Sequence, residues 1–316
     1  MEQQPKTLQE AIIYFADPDN CRDYVVARRW PKGVTCPRCH GDKVKFQEKY
    51  NRWQCASHHA RRQFTVKTGT IFEDSPLSLQ KWLPAVWLIV NCKNGISSYE
   101  IHRALGVTQK TAWFMLHRIR LGMQARPFVQ SMSGQVEVDE TFIGGKSRNM
   151  HKSKRAKKIT GTGGKDKTAV LGILQRGGSI ATAVVPNTKK KVLQPLVKDH
   201  VAAGSSIFSD ALKSYEGLSK RYDHEVIDHA VSYVEGNVHT NGMENFWSLL
   251  KRGLHGTYIS VEPFHLFRYL DEQTWRYNNR KEMQDADRFS KVLTQVVGKR
   301  VTYDELIGKV GETAVN

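Results

Sequence analysis

Gln135-Val-Glu-Val-Asp-Glu-Thr-Phe-Ile-Gly-Gly145 (QVEVDETFIGG) decides how the second half of this chain folds. It reads as a strand that carries Asp139 and closes on a glycine pair. Downstream, TAVLGILQ (168–175), SIATAVVP (179–186) and SIFSDA (206–211) read as further strands. Helical spacing follows over Lys189 to Ala202, Met243 to Leu254 and Pro263 to Asn278. Strands first, then strand and helix in alternation, predict an α/β domain over residues 128–290, with a C-terminal tail at 291–316.

Upstream of this strand the pattern is helical. Trp82 to Cys92, Ser98 to Leu105 and Thr108 to Ile119 form three segments punctuated by Gly95 and Gly106. The last two, ISSYEIHRALGVTQKTAWFMLHRIR (96–120), have the grammar of a helix-turn-helix within residues 76–127. Gly106 makes the turn and Thr108 caps the second helix, so Gln109, Lys110 and Trp113 are placed to face base edges. His117, Arg118 and Arg120 are then expected near phosphates. A helical hairpin with Trp113, Met115 and Leu116 as core is the plainer alternative.

Residues 1–33 read as two short helices, broken at Pro18 and ended at Pro31. Between 34 and 75 the pattern becomes short alternating pieces around cysteines. Cys36-Pro-Arg-Cys39 and Cys55-Ala-Ser-His58 supply two donor pairs of equal spacing, which suits a tetrahedral structural Zn²⁺; His59 is an alternative fourth ligand. Cys21 and Cys92 read as core residues. Five cysteines, with three in one cluster, do not make a disulfide framework.

Among 316 residues, 48 Lys and Arg oppose 31 Asp and Glu, a net charge of +17, which selects a polyanion as partner. The longest apolar run, Trp82 to Val90, holds Pro84 and is far shorter than the roughly 20 residues a membrane span needs. The N-terminus has no basic region followed by an apolar core, so a cytoplasmic, nucleoid-associated location is expected.

Three acids then stand out: Asp139, Asp210 at the end of SIFSDA, and Glu244 in NGMENFWSLLKR. Lys251 lies two helical turns after Glu244 and Asn241 one turn before it, all on one face. Converging carboxylates suit two Mg²⁺ or Mn²⁺ ions, which prefer hard oxygen ligands. Glu137 and Glu140 flank Asp139 and are expected to point to the opposite face.

RRWPKGVTCPRC, QFTVKTGTIFEDSPLSLQKW, VEVDETFIGGK and HTNGMENFWSLLKRGLHGTY together resemble the zinc-ribbon-bearing, ISXO2-like DDE transposases of bacterial insertion sequences. The resemblance runs over nearly the whole chain. It implies a multidomain α+β protein with an N-terminal zinc ribbon, a helix-turn-helix and an RNase H-like α/β catalytic domain. It also implies Asp139 and Asp210 as the first two acids, with the third in HTNGMEN: Glu244, separated from Lys251 by six residues, with Asn241 or Asn245 as competitors. The ribbon departs from the family's usual second Cys-x-x-Cys, having CASHH instead.

Residues 144–167 are rich in Gly, Lys and Arg and lack apolar periodicity. Lys146, Lys152, Lys154, Arg155, Lys157 and Lys158 would grip a DNA backbone there, in a loop ordered only on binding. The implied partners are double-stranded DNA, as terminal inverted repeats and target, and further copies of the chain in a dimer or larger synaptic assembly. A regulator that has lost its chemistry, or a nuclease without strand transfer, would carry the same features.

Overall fold

A computed structural model describes residues 4–124, 131–144, 151–153, 167–210, 212–227 and 239–309. The chain divides into two compact units, Met1–Gln124 with Asn279–Asn316, and Ala125–Asn278. The C-terminal segment thus groups with the N-terminal one instead of extending the α/β block to residue 290. The cause is an amphipathic helix, Asp285–Gln295, which buries Phe289, Val292 and Leu293. The Phe289 ring lies 5.6 Å from Phe15, 5.5 Å from Tyr24 and 5.0 Å from Trp87.

The first unit begins with helices α1 (Leu8–Tyr14) and α2 (Pro18–Arg29). Asp17 caps α2 by accepting from the Asp19 amide, and Pro18, lacking an N–H, takes the first helical position at no cost. A small antiparallel sheet follows, β1 (Val44–Gln47), β2 (Arg52–Cys55) and β3 (Gln63–Phe64), in that order. Its apolar content is little more than an aromatic cluster: Trp53 against Phe46, Phe64 and Trp30. Helix α3 (Leu79–Asn91) tolerates Pro84 inside it and is buried at Trp82, Leu83, Val86, Trp87, Ile89 and Val90, as befits a central core helix.

Helices α4 (Ser98–Leu105) and α5 (Gln109–Met123) are joined by Gly106, whose φ of 59° is a left-handed conformation that favours glycine. A capping box of Ser97 and Glu100 starts α4, and the Thr108 side chain starts α5 by accepting from the Thr111 amide. The second half of α5 departs from expectation. His117, Arg118 and Arg120 are buried at 0%, 3% and 1% exposure, so they do not present themselves to phosphates. Arg118 donates to the Glu73 carbonyl and lies over the Trp82 and Phe114 rings. A guanidinium on an apolar stem can be held this way inside a protein, and burial lowers its pKa to about 10.

The second unit is built on one five-stranded sheet. In chain order its strands are β4 (Gln135–Ile143), β5 (Thr168–Gln175), β6 (Ile180–Val185), β7 (Ser206–Asp210) and β8 (Asp223–Ile227). In space the order is β6-β5-β4-β7-β8; β4, β5 and β6 pair antiparallel, whereas β7 and β8 run parallel to β4 and to each other. The first parallel link requires a crossover, supplied by helix α6 (Lys190–His200). One face packs Val136, Val138, Leu171 and Ile207 with Leu193 and Val197 of α6. The other packs Val170, Leu174 and Ile180 against helices α7 (Asn241–Arg252) and α8 (Leu266–Asn278). Met243, Phe246, Trp247 and Leu250 are the buried stripe of α7, each worth roughly 1.5–3 kcal/mol by transfer from water. Gly172 makes that approach possible, since a Cβ there would stand 2.1 Å from Met243 Cε and 2.6 Å from Trp247 Cζ2. Among the described residues no helix is long and apolar enough to cross a membrane.

Candidate active site and metal centre

The last register pair between β4 and β7 is Val138 with Ser209, so Asp139 and Asp210 are the next residues on neighbouring parallel strands. Their carboxylates converge, and Glu140 joins them: one oxygen from each of the three lies within 4.8 Å of the others. Asp139 is held on both oxygens, Oδ2 accepting from Trp247 Nε1 at 2.9 Å and Oδ1 from the Glu140 amide at 2.8 Å. The Leu212 amide donates to Asp210 Oδ1 at 3.2 Å. The Tyr215 hydroxyl donates to Glu140.

Burial, reinforced by the charge of Asp210, pushes the Asp139 carboxyl up to about 6. Glu140 is pushed up to about 8, first by burial and then by Asp210 and Asp139, with the Tyr215 hydrogen bond opposing. Hard oxygens crowded at this spacing repel one another unless a cation or protons intervene, which suits a divalent ion such as Mg²⁺ or Mn²⁺.

Helix α7 supplies the opposite wall. Glu244, Trp247, Ser248 and Lys251 line an open cleft of about 440 Å³ together with Asp139 and Glu140. Their i, i+3, i+4, i+7 spacing puts them on one helix face. The negative charge of Glu244 contributes to the raised pKa of Asp139. Asn241 is the first residue of α7 and, like Asn245, is exposed; neither lines the cleft.

Glu137 and Glu140 do not both turn away from Asp139. Glu137, two residues earlier on the strand, shares the face of Asp139, where its carboxylate meets the Met243 amide of α7. Glu140 does lie on the other face, beside Tyr215, yet its longer side chain still reaches Asp210 because β7 ends there. Alternation along one strand could not reveal that; a second acid immediately after Asp139 was the available signal.

In the first unit Cys36, Cys39, Cys55 and His59 bring one donor atom each within 4.8 Å of one another. His59, not His58, is the fourth member. The Cys36–Cys39 knuckle is tight, the His40 amide donating back to the Cys36 carbonyl at 2.9 Å. After β2 the chain does not repeat that turn, and one more residue is needed to return to the sulfurs. His58 is exposed, while His59 Nε2 stands 3.5 Å from Cys36 Sγ. His59 Nδ1 pairs with the Ala60 carbonyl at 2.8 Å, which fixes the tautomer that leaves Nε2 free to ligate. The Gly41 amide pulls the Cys39 thiol down to about 7, toward the thiolate that binds metal. Three sulfurs and an imidazole in this geometry fit structural Zn²⁺.

A structural zinc bound with roughly 10–16 kcal/mol by four ligands implies that His59→Ala weakens zinc retention on the order of 100-fold or more, whereas His58→Ala leaves it unchanged. Competition with a chromophoric chelator measures both; equal loss in the two variants would remove His59 from the site.

Of the DNA-facing positions expected from sequence, Lys110 is exposed, with its ammonium 4.4 Å over the Tyr303 ring. Gln109 is turned inward, its amide donating to Ser98 Oγ at 2.9 Å, so it ties α5 to α4. Lys152 is exposed. Lys146, Lys154, Arg155, Lys157 and Lys158 lie outside the described residues.

Comparison with known proteins matches residues 131–278 to an ISXO2-like transposase domain and residues 16–61 to a transposase zinc-ribbon domain. An uncharacterized protein in transposable element ISH50 of Halobacterium salinarum is 28% identical over 257 residues, covering 77% of this chain and 85% of that protein. An uncharacterized transposase-like protein of Haemophilus influenzae is 33% identical over 101 residues, covering 32% of this chain and 81% of its own length.

Proposed function

The chain belongs to the zinc-ribbon-bearing ISXO2-like transposases, and from that premise we propose that it cuts DNA at the ends of an insertion sequence and joins them to a target. The observation that carries this reading is the convergence of Asp139 and Asp210 beside the cleft that Glu244 and Lys251 line. The strand order β6-β5-β4-β7-β8, with those two acids on adjacent central strands, supports an RNase H-like catalytic domain. Gly106 between α4 and a Thr108-capped α5 supports a helix-turn-helix.

Asp139, Asp210 and Glu244 would hold two divalent ions, Mg²⁺ or Mn²⁺, which supply Lewis-acid charge at the attacking and departing oxygens. Trp247 and the Glu140 amide keep Asp139 oriented with its charge toward the cleft. Lys251 neutralises a non-bridging oxygen of the scissile phosphate. In the first step the oxygen of water bonds to phosphorus and the 3′-oxygen departs, taking a proton to become a 3′-hydroxyl. In the second, that hydroxyl oxygen bonds to a target phosphorus, a target 3′-oxygen departs and takes a proton, and the number of phosphodiesters is conserved. Joining two ends to one target calls for a dimer or larger assembly. Lys110, Lys152 and the basic residues 144–167 hold the duplex backbone, and the ribbon with α4 and α5 reads the terminal repeats.

A duplex carrying the inverted repeats that flank the gene, pre-cut to expose a 3′-hydroxyl, tests this with a plasmid target and Mn²⁺. Joined product is expected; cutting without joining would mark a nuclease. In the same assay Glu244→Gln loses on the order of 100-fold and Asn241→Ala less than about tenfold. The reverse ranking would give the third ligand position to Asn241.

A further inference from the structure

We propose that Glu137, paired with Arg176, is a positioning residue that caps the catalytic helix α7 and so sets Glu244 and Lys251 against Asp139. The inference rests on the transposase reading above and deepens it. Glu137 is 1% exposed and sits on β4 two residues before Asp139, on the same face. Its Oε2 accepts from the Met243 amide at 2.9 Å, in the first turn of α7, and Glu244 is the next residue. Its Oε1 accepts from Arg176 Nε at 2.9 Å, with His239 Nδ1 at 3.5 Å. Arg176 in turn donates to the His239 carbonyl at 2.6 Å and lies over the Phe208 ring at 4.0 Å. The segment entering the helix and the first turn itself are thereby tied to the strand that carries Asp139.

The helix's own N-cap residue does not substitute for this cap. Thr240 stands at its N-cap but makes no side-chain bond to the first turn. A carboxylate at the positive end of a helix satisfies an orphan N–H and interacts favourably with the dipole. The approach is so close that a Cβ on Gly242 would stand 2.8 Å from Glu137 Oε2 and 2.4 Å from Leu174 Cδ2. Glycine at 242 and the donor amide at 243 are thus consecutive consequences of one docking geometry, and Glu244 follows them.

A buried ion pair adds little net stability compared with an apolar pair of the same volume. With hydrophobic residues in their place, α7 would stay on the sheet through Met243, Phe246 and Trp247, and the Trp247 indole would still donate to Asp139 Oδ2. Glu137 adds a second polar tie at the first turn, at Met243, where a shift of a fraction of an ångström carries the adjoining Glu244 with it. The network connects the two walls of the cleft.

Glu137→Gln replaces one acceptor by a donor facing Arg176 or the Met243 amide, and Arg176→Lys keeps the charge but cannot bridge Glu137 and the His239 carbonyl together. Mn²⁺ binding to the DNA-free protein, followed by electron paramagnetic resonance, is expected to weaken about 10- to 100-fold in Glu137→Gln and less in Arg176→Lys. The Mn²⁺ concentration for half-maximal cutting rises in parallel, cutting at saturating Mn²⁺ changes far less, and the Met243 amide exchanges faster with solvent. Unfolding remains cooperative. Either folded variant with wild-type Mn²⁺ affinity would overturn the proposal; should Glu137→Gln fail to fold, Arg176→Lys decides alone. A wild-type protein that does not cut with Mn²⁺ sinks the transposase reading instead, so the two failures are distinct.

Discussion

Asp139→Asn lowers DNA cutting by about 10³-fold or more, the equivalent of several kcal/mol of lost charge stabilisation at the reacting phosphate, while binding of the DNA ends in the absence of divalent metal stays intact. The substitution keeps shape and removes one negative charge from a site where one oxygen from each of three carboxylates lies within 4.8 Å of the others. The folded-state pKa of Asp139 is raised from 3.8 to about 6, so protonation favours the fold. Its contribution to stability is therefore fully present below pH about 4 and lost as the pH rises through about 6. At neutral pH the ionised Asp139 opposes metal-free folding on the order of 3 kcal/mol. Asparagine removes that opposition, although one of its two hydrogen-bond partners then meets an amide. Metal-free Asp139→Asn is expected to unfold at the same temperature as wild type or higher. A variant that still cuts within about tenfold of wild type would remove Asp139 from the reaction. One that unfolds much earlier would mean that the carboxylate serves the scaffold.

Much of this site is legible in the sequence because its parts lie in short, periodic segments. The strand around Asp139, the strand ending at Asp210 and the helix face joining Glu244 to Lys251 each follow from local spacing, and the structure brings Asp139, Glu244 and Lys251 to one cleft. What escaped depends on distance or on turns. The helix Asp285–Gln295 joins the N-terminal unit because Phe289 meets Phe15, Tyr24 and Trp87, a match between segments that no local pattern displays. His59 displaces His58 because the path after β2 lacks the tight turn of the first knuckle, and equal spacing in sequence is not equal spacing in space. Glu140 reaches Asp210 from the far face at a strand end, where alternation ceases to separate faces. Arg118 and Arg120 look solvent-facing by charge, but α5 buries its second half, and aromatic rings and a carbonyl accommodate Arg118 there.

Cys55→Ser is expected to unfold the ribbon while leaving the sheet of the second unit in place. The ribbon's three strands hold four, four and two residues, and its apolar content is the cluster of Trp30, Phe46, Trp53 and Phe64. So small a core falls short of the conformational entropy of ordering the segment, and domains of this size generally need a metal or disulfides. Cys36 and Cys55 are buried at 0% and 1% exposure, and the Cys55 amide also closes the hairpin by donating to the Arg62 carbonyl at 2.9 Å. Losing one of four ligands therefore removes most of a binding energy of roughly 10–16 kcal/mol, which for such a module is its folding energy. The five-stranded sheet draws every strand from Ala125–Asn278, a unit that holds none of Cys36, Cys39, Cys55 and His59. The expected result is about one zinc per chain in wild type by atomic absorption and far less in Cys55→Ser. Amide protection is lost at Trp53 and Gln54 and retained at Val138 and Ile173, two central positions of the second unit's sheet. Mn²⁺ binding at the carboxylates is expected to persist and, under the proposed function, affinity for terminal-repeat DNA to fall. A Cys55→Ser protein that keeps its zinc and a protected ribbon would show that Cys36, Cys39 and His59 suffice; simultaneous collapse of Val138 protection would show that the two units do not fold independently.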